Sequence, residues 1–381
     1  MQANSGVSVK PGDVLDGRYT LRNCIAQGGM GRVYLAEQPA LERIVAVKLL
    51  QPELAPRPEY ARCIRDEAIA ASRVRDPRCV KVLDCGALPD GTPYLVMEHI
   101  PGRSLRDLAA EGPLPVARAI GLVEQVLGAL RATHDAGIIH ADVKSDNFLV
   151  ESVGGTDRVT MIDFGLARLA GSPFCLDDEH GEPMVLGTPE YMAPEVVRGK
   201  PPMPASDLYG AGVVLYELLT GTVPFSGTTA GQIMLQHIQG FVMAPSRRRP
   251  DRDIPAVLDR IVLRALAKQP EARFPDAAAF ARELRSALRR ARSSSIRPLR
   301  AEGSSPAIAP LDDTGAPLAL GRIAHGSDCG GRSPRPDAEL PPEPRILLGA
   351  PAASLHERGS SSLKIVKKAT MSEMSWSDKP R

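Results

Sequence analysis

Eight residues, His140-Ala141-Asp142-Val143-Lys144-Ser145-Asp146-Asn147, lie between a long helical pattern and the apolar run Phe148-Leu149-Val150. In one short stretch they set out a carboxylate, an ammonium and an amide. Such groups can take a proton from a hydroxyl, neutralise a phosphate and ligate a divalent cation. Two further segments follow in order: Met161-Ile162-Asp163-Phe164-Gly165 after a short strand, then Gly187-Thr188-Pro189-Glu190-Tyr191-Met192-Ala193-Pro194-Glu195. Any one of the three could arise by chance. All three in this order and at this spacing do not.

The chain around them changes period. From Tyr19, short apolar runs broken by glycine (YTLRNCIAQ, GRVYLAEQ, RIVAVKLL) read as consecutive antiparallel strands with tight turns. A helical pattern runs from Glu59 to Val74. CVKVLDCGAL and PYLVMEHI read as two more strands around the turn PDGT, and helical segments such as SLRDLAA and VARAIGLVEQVLGALRATHDAG take over until about Arg290. The expected class is α+β: a bilobal fold with a small mostly-β N-lobe and a larger mostly-α C-lobe. From Ala291 the composition shifts to Pro, Ser, Gly and Arg (SSPAIAP, SPRPDAELPPEPR, HERGSSS), which cannot bury enough apolar surface to offset its ordering entropy. The expected boundaries are an N-terminal extension at 1–18, a catalytic domain at 19–288 and a disordered tail at 289–381, with no internal repeat.

Composition excludes several classes. Lys+Arg 47 against Asp+Glu 45 leaves a net charge of +2, so bulk charge argues for neither nucleic acid nor an anionic membrane as a partner. The six cysteines are scattered with no C-x-x-C pair, which speaks against a disulfide framework or a zinc site and fits a reducing cytoplasm. The first residues, MQANSGVSVKPGD, hold no apolar run, so no signal peptide is expected. No apolar window is long enough to span a bilayer; the richest, AGVVLYELL, reads as a buried core helix.

The N-terminal strands carry weaker signals. Ala26-Gln27-Gly28-Gly29-Met30-Gly31-Arg32-Val33 is a glycine-rich hairpin whose backbone can approach phosphates closely, although a plain structural hairpin explains it as well. Val45-Ala46-Val47-Lys48 ends a buried strand in a cation, and Glu67 on the following helix stands at a distance suited to pair with it. Taken alone, a strand lysine is common and a helical glutamate is usually solvated.

Together these residues resemble the eukaryotic-type serine/threonine protein kinases found in bacteria, over about Tyr19 to Leu288. The resemblance implies phosphoryl transfer from ATP, with Mg²⁺ (or Mn²⁺) as cation, to Ser/Thr hydroxyls of proteins. It places Gly28, Gly29 and Gly31 over the ATP phosphates, and Lys48 on the α- and β-phosphates, paired with Glu67. Asp142 would accept the hydroxyl proton, Lys144 would neutralise the transferring group, and Asn147 and Asp163 would bind the metal. Adenine would lie against Val33, Ala46 and Leu149, its edge on the backbone of Glu98 and Ile100, with Met97 behind. Glu195 would pair with Arg273, and Asp207 would cap the catalytic loop. Lys144 and Thr188 match the Ser/Thr rather than the tyrosine-specific pattern.

Three departures stand out. Ala26 replaces the usual first glycine, Ala141 replaces the usual arginine before Asp142, and the loop between Asp163 and Thr188 has Ser172 but no threonine. The last two put activation by loop phosphorylation in doubt. The main rival reading is a pseudokinase scaffold, whose mark would be loss of Lys48, Asp142 or Asp163, and all three are present; the second is a phosphotransferase of this fold acting on a small molecule, which generally lacks an intact GTPEYMAPE segment. His99, His134, His180 and His237 read as ordinary surface or core histidines, His140 as packing beneath Asp163, and Arg247-Arg248-Arg249 as a solvated face. Leu363-Lys364-Ile365-Val366-Lys367-Lys368 and Trp376 in the tail are candidates for docking a partner, against simple disorder.

Overall fold

A computed structural model describes residues 9–28, 31–51, 53–54, 58–164, 167–169, 176–177, 183–185, 187–295 and 366–367. The chain divides into two units, and the smaller, at 297–358, lies wholly outside the described residues. So do Gly29, Gly165, Ser172, His180 and Trp376.

Strands β1 (Val14–Leu15), β2 (Tyr19–Gln27), β3 (Gly31–Gln38) and β4 (Arg43–Leu50) precede helix α1 (Pro58–Arg73); β5 (Val82–Ala87) and β6 (Pro93–Glu98) complete an antiparallel sheet of order β1-β2-β3-β4-β6-β5. Strand alternation assigns the two faces. Val45, Val47 and Leu49 point into a small core with Tyr19, Leu21, Tyr34 and Tyr94. Ala46 and Leu50 point the other way, into the main core that contains α1. Lys48 shares this second face, fixed by its register between Val33 and Leu95. A slip of one residue would carry it to the opposite side. Helix α1 buries Tyr60, Cys63, Ile64, Glu67, Ala68 and Ala71, a helical spacing that brings Glu67 onto the same inner face.

The helical lobe opens with β7 (Arg103–Ser104), α2 (Leu105–Ala110) and α3 (Val116–Asp135). Next come β8 (Ile138–Ile139) and the hairpin of β9 (Phe148–Val153) with β10 (Thr156–Met161). Short strands β11 (Arg168–Leu169), β12 (Leu176–Asp177) and β13 (Pro183–Val185) lead to α4 (Pro194–Val197) and α5 (Pro204–Thr220). The chain continues through α6 (Ala230–Gln239), α7 (Pro245–Arg248), α8 (Ala256–Ala265) and α9 (Ala277–Ser295). Helix α9 therefore runs past the expected boundary at Leu288. In the remaining tail, Val366–Lys367 forms β14, which pairs with β13.

Helix α5 contains AGVVLYELL and is buried all round, from Ser206 to Thr220. It is the post on which the lobe is built. Gly210 lets the catalytic loop sit against it: a Cβ there would come within 2.8 Å of the Val143 carbonyl oxygen and side chain. No helix among the described residues is long and apolar enough to cross a membrane.

The expected Glu195–Arg273 pair is a two-pronged bridge, both contacts at 2.7 Å, with the guanidinium fully buried. Arg273 also donates to the carbonyls of Ala205 and Ala267, and Ser206 donates to Glu195. Burial alone would raise the Glu195 carboxyl, but Arg273 holds it below its ordinary value. Removing one partner strands a buried charge. Glu195→Gln is expected to cost about 3–5 kcal/mol, read from urea unfolding of variant and wild type.

Candidate active site

A cleft of about 810 Å³ separates the sheet from the helices. On its roof, the Lys48 ammonium donates to both Glu67 oxygens at 2.7 and 2.9 Å and to Asp163 at 2.8 Å. Burial works against the charged lysine, yet the carboxylates of Asp163 and Glu67 outweigh it and hold Lys48 above its ordinary value. Burial likewise opposes ionisation of Asp163, and Lys48 overcomes it, keeping this carboxylate well below the usual range. Phe164, the next residue, is buried against the His140 ring at 5.8 Å.

On the floor, Asp142 receives Lys144 at 2.6 Å and the Thr188 hydroxyl at 3.1 Å; Lys144 also donates to that hydroxyl at 3.0 Å. Burial disfavours the Lys144 cation, but Asp142 more than compensates and raises it. The Asn147 amide donates to the Asp142 carbonyl at 2.9 Å, which commits its NH₂ and leaves its oxygen as the donor to a cation. With the Asp163 carboxylate, which lines the same cleft, it offers two hard oxygen ligands that could hold a divalent cation.

Val33, Ala46, Met97 and Leu149 give the cleft apolar lining, and Glu98 and Ile100 line it too. Gly28 and Gly31 border the cleft where β2 passes into β3. A Cβ on Gly31 would overlap the Leu49 carbonyl oxygen, so only glycine permits this close approach. The cleft thus gathers every described residue expected of the nucleotide and metal site, while Glu67 reaches it through Lys48; Gly29 lies outside the described residues.

Asp207, at the start of α5, accepts from the backbone N–H of His140 at 2.9 Å and of Ala141 at 2.8 Å, and contacts His134 at 2.8 Å. Ala141 is held in the left-handed region, φ +66°, a conformation that disfavours any residue with a Cβ. His134 therefore belongs to the support of the loop, where spacing suggested only an ordinary histidine. A second support has no sequence signal at all. Buried Glu217 on α5 receives the hydroxyls of Ser145 and of Tyr191 (2.6 Å), and Arg106 on α2 bridges Asp146 at 2.9 Å on the way to Glu217. These residues are scattered along the chain and meet only by packing. Gln51, also unannounced, donates to the Gly28 carbonyl at 2.5 Å and ties the glycine hairpin to the end of β4.

A β-sheet over helices, with a lysine held between carboxylates across a cleft from an aspartate–lysine pair, is the architecture of a nucleotide-dependent phosphotransferase. The family model described as a protein kinase domain matches residues 19–284, and the chain belongs to that family. It is 38% identical over 299 residues to the serine/threonine-protein kinase pkn3 of Myxococcus xanthus, covering 77% of this chain and 54% of the relative. To the serine/threonine-protein kinase PknB of Mycobacterium tuberculosis it is 39% identical over 275 residues, 71% of this chain and 43% of the relative. The chain thus spans about half the length of these curated relatives, or less. Among solved structures, the PknI kinase domain of Mycobacterium tuberculosis superposes with a TM-score of 0.56 at 26% identity, covering 74% of this chain and 99% of that one.

Asp207→Ala would leave two buried N–H groups without their acceptor and the left-handed Ala141 without support. The expected loss is about 2–6 kcal/mol of stability in urea unfolding, since each orphaned donor costs about 1–3 kcal/mol. Asp207→Asn, which keeps one acceptor oxygen, should lose roughly half as much.

Proposed function

We propose that the chain is an ATP-dependent serine/threonine protein kinase that transfers the γ-phosphoryl group to protein Ser/Thr hydroxyls, acting in bacterial cytosolic signalling, where ATP is supplied. The observation that carries this reading is the Lys48 ammonium bound to both Glu67 and Asp163 above a cleft whose floor holds Asp142. A pseudokinase scaffold is disfavoured by the same residues, since Lys48, Asp142 and Asp163 are all in place.

Adenine would lie between Val33, Ala46 and Leu149, with Met97 behind and the backbone of Glu98 and Ile100 at its edge. The phosphates would run beneath Gly28, Gly29 and Gly31, with Lys48 held by Glu67 so that its charge faces the α- and β-phosphates. Asn147 and Asp163 are the residues that would hold Mg²⁺ or Mn²⁺, which when bound would screen the phosphate charge. Asp142 orients the incoming hydroxyl and takes its proton, a role of positioning and general-base catalysis together. Lys144, kept cationic by Asp142, neutralises charge on the transferring group. Its tie to Thr188 keeps ammonium, hydroxyl and carboxylate within one short side chain's reach of the cleft floor, which suits Ser or Thr.

Activation is proposed not to need phosphate on the loop. Ala141 offers no cation for a phosphate to neutralise, and the Lys48–Glu67 pair forms without one. Lys48→Ala and Asp142→Asn are each expected to lower phosphate transfer from labelled ATP to a generic basic protein by ~10²-fold to 10⁴-fold or more, with circular dichroism unchanged; near-wild-type turnover in either defeats the assignment of roles. Phosphatase treatment, or Ser172→Ala, should change peptide phosphorylation by less than about tenfold, ~1.4 kcal/mol in barrier. A larger fall would show that the loop carries a phosphorylation switch.

A further inference from the structure

Strand β4 ends level with the start of β3. Its register sets Leu50 opposite Gly31 and Leu49 opposite Arg32, and Gln51 follows Leu50 directly. Both described arms of the glycine hairpin are fastened to this one strand end. On the outgoing arm, Gly31 lies so close to the Leu49 carbonyl that a Cβ would overlap it. On the incoming arm, the Gln51 side-chain amide donates to the Gly28 carbonyl at 2.5 Å. The Gly28 N–H joins the two arms by donating to the Gly31 carbonyl at 2.9 Å. Gly28 therefore has both backbone polar groups committed, one to the hairpin itself and one to a side chain at the end of β4.

The carbonyl is the group that needs fixing. Gly28 and Gly29 are consecutive in sequence, so rotation of the peptide between them meets no Cβ. Gly28 lines the cleft, whereas Gln51 is not among the described residues that line it. A phosphate is attracted by backbone N–H groups and repelled by a carbonyl oxygen. The bond to Gln51 keeps the negative end of this peptide dipole directed at a group behind the cleft lining. Without that bond the peptide is free to swing its oxygen toward an anion in the cleft, and the hairpin loses one of its ties to β4. The bond is partly buried, which strengthens it relative to one in water. β4 also carries Lys48, so the strand that supplies the cation for the phosphates also holds the hairpin that covers them.

We propose that Gln51 is a positioning residue for ATP: through the Gly28 carbonyl it holds the glycine hairpin in the orientation that receives the triphosphate, acting from behind the cleft lining. The inference deepens the kinase reading above and rests on it. A tie made equally before and during phosphoryl transfer contributes to binding of ATP rather than to its turnover, so it belongs in KM and leaves kcat alone. Adenosine carries the base and sugar without phosphate, so its binding is indifferent to the tie.

The test uses the full chain, with Mg-ATP and adenosine as probes in titration calorimetry and a generic basic protein as acceptor in steady-state transfer. Gln51→Met keeps the length of the side chain and removes the donor. It should raise the Kd for Mg-ATP and the KM for ATP about threefold to tenfold, the size of one net hydrogen bond. Both kcat and the Kd for adenosine should stay within about twofold of wild type. Gln51→Glu, which sets a carboxylate against the carbonyl, should weaken Mg-ATP binding at least as much. Gln51→Lys, which restores a donor, should bring it back toward wild type. Unchanged Mg-ATP affinity in the Met and Glu variants, or a fall in kcat at constant KM, would overturn the role of Gln51. Equal weakening of Mg-ATP and adenosine would overturn it too, by showing that Gln51 supports only the fold. A wild-type chain that binds Mg-ATP yet transfers no phosphate to the basic protein would overturn the kinase reading, while the Kd values would still decide the role of Gln51.

Discussion

The carboxylate of Asp207 carries the catalytic loop. It accepts from two successive backbone N–H groups, at His140 and Ala141, and holds His134 beside them. Two adjacent N–H groups can share one carboxylate only if the backbone turns sharply between them, and Ala141 makes that turn in the left-handed region. The next residue is Asp142. Its position is therefore set from below, by a side chain on a helix buried on all sides, and Gly210 allows the loop to approach that helix closely. Orphaning either N–H in so dry a setting costs about as much as a hydrogen bond is worth to folding, so the loop has little freedom to relax.

The opposite wall of the cleft depends on charge rather than on backbone. Lys48 reaches the cleft because strand alternation puts it on the face of Ala46 and Leu50, and it stays charged there because Glu67 and Asp163 surround it. A buried ammonium without such partners would lose its proton. Helix α1, the sheet and the segment that begins at Asp163 are thereby coupled through one nitrogen atom. Displacing any of the three leaves a charge uncompensated, which makes the assembled state of the cleft sharply defined.

Segments beyond the catalytic loop are tied to the same post. Glu217, near the far end of α5, gathers Ser145, Tyr191 and, through Arg106, Asp146, so that the loop after Asp142 and the segment after Thr188 are fastened at one buried carboxylate. Burial pushes the Glu217 carboxyl up, against the pull of its hydroxyl donors and Arg106. The β12–β13–β14 sheet extends the segment before Thr188 outward and brings a strand from the C-terminal tail into it.

By itself the sequence determined the lobes, their order and the identity of the chemical groups. Those features are local: Gly28 and Gly31, Lys48, the Asp142–Asn147 stretch and Asp163 each sit in a short pattern whose spacing reflects a strand, a turn or a helix, and periodicity reports such elements directly. The Glu195–Arg273 and Asp207 contacts were also legible, through the family resemblance rather than through spacing. Other features were decided only by the tertiary structure. His134 read as an ordinary histidine, and Arg106 and Glu217 carried no signal. Each of these contacts joins residues distant in the chain, and which of many similar side chains meet is fixed by how the helices and strands pack. Local pattern carries no information about that choice, because the desolvation and hydrogen-bond energies that select one partner over another arise only once the surrounding elements have excluded water.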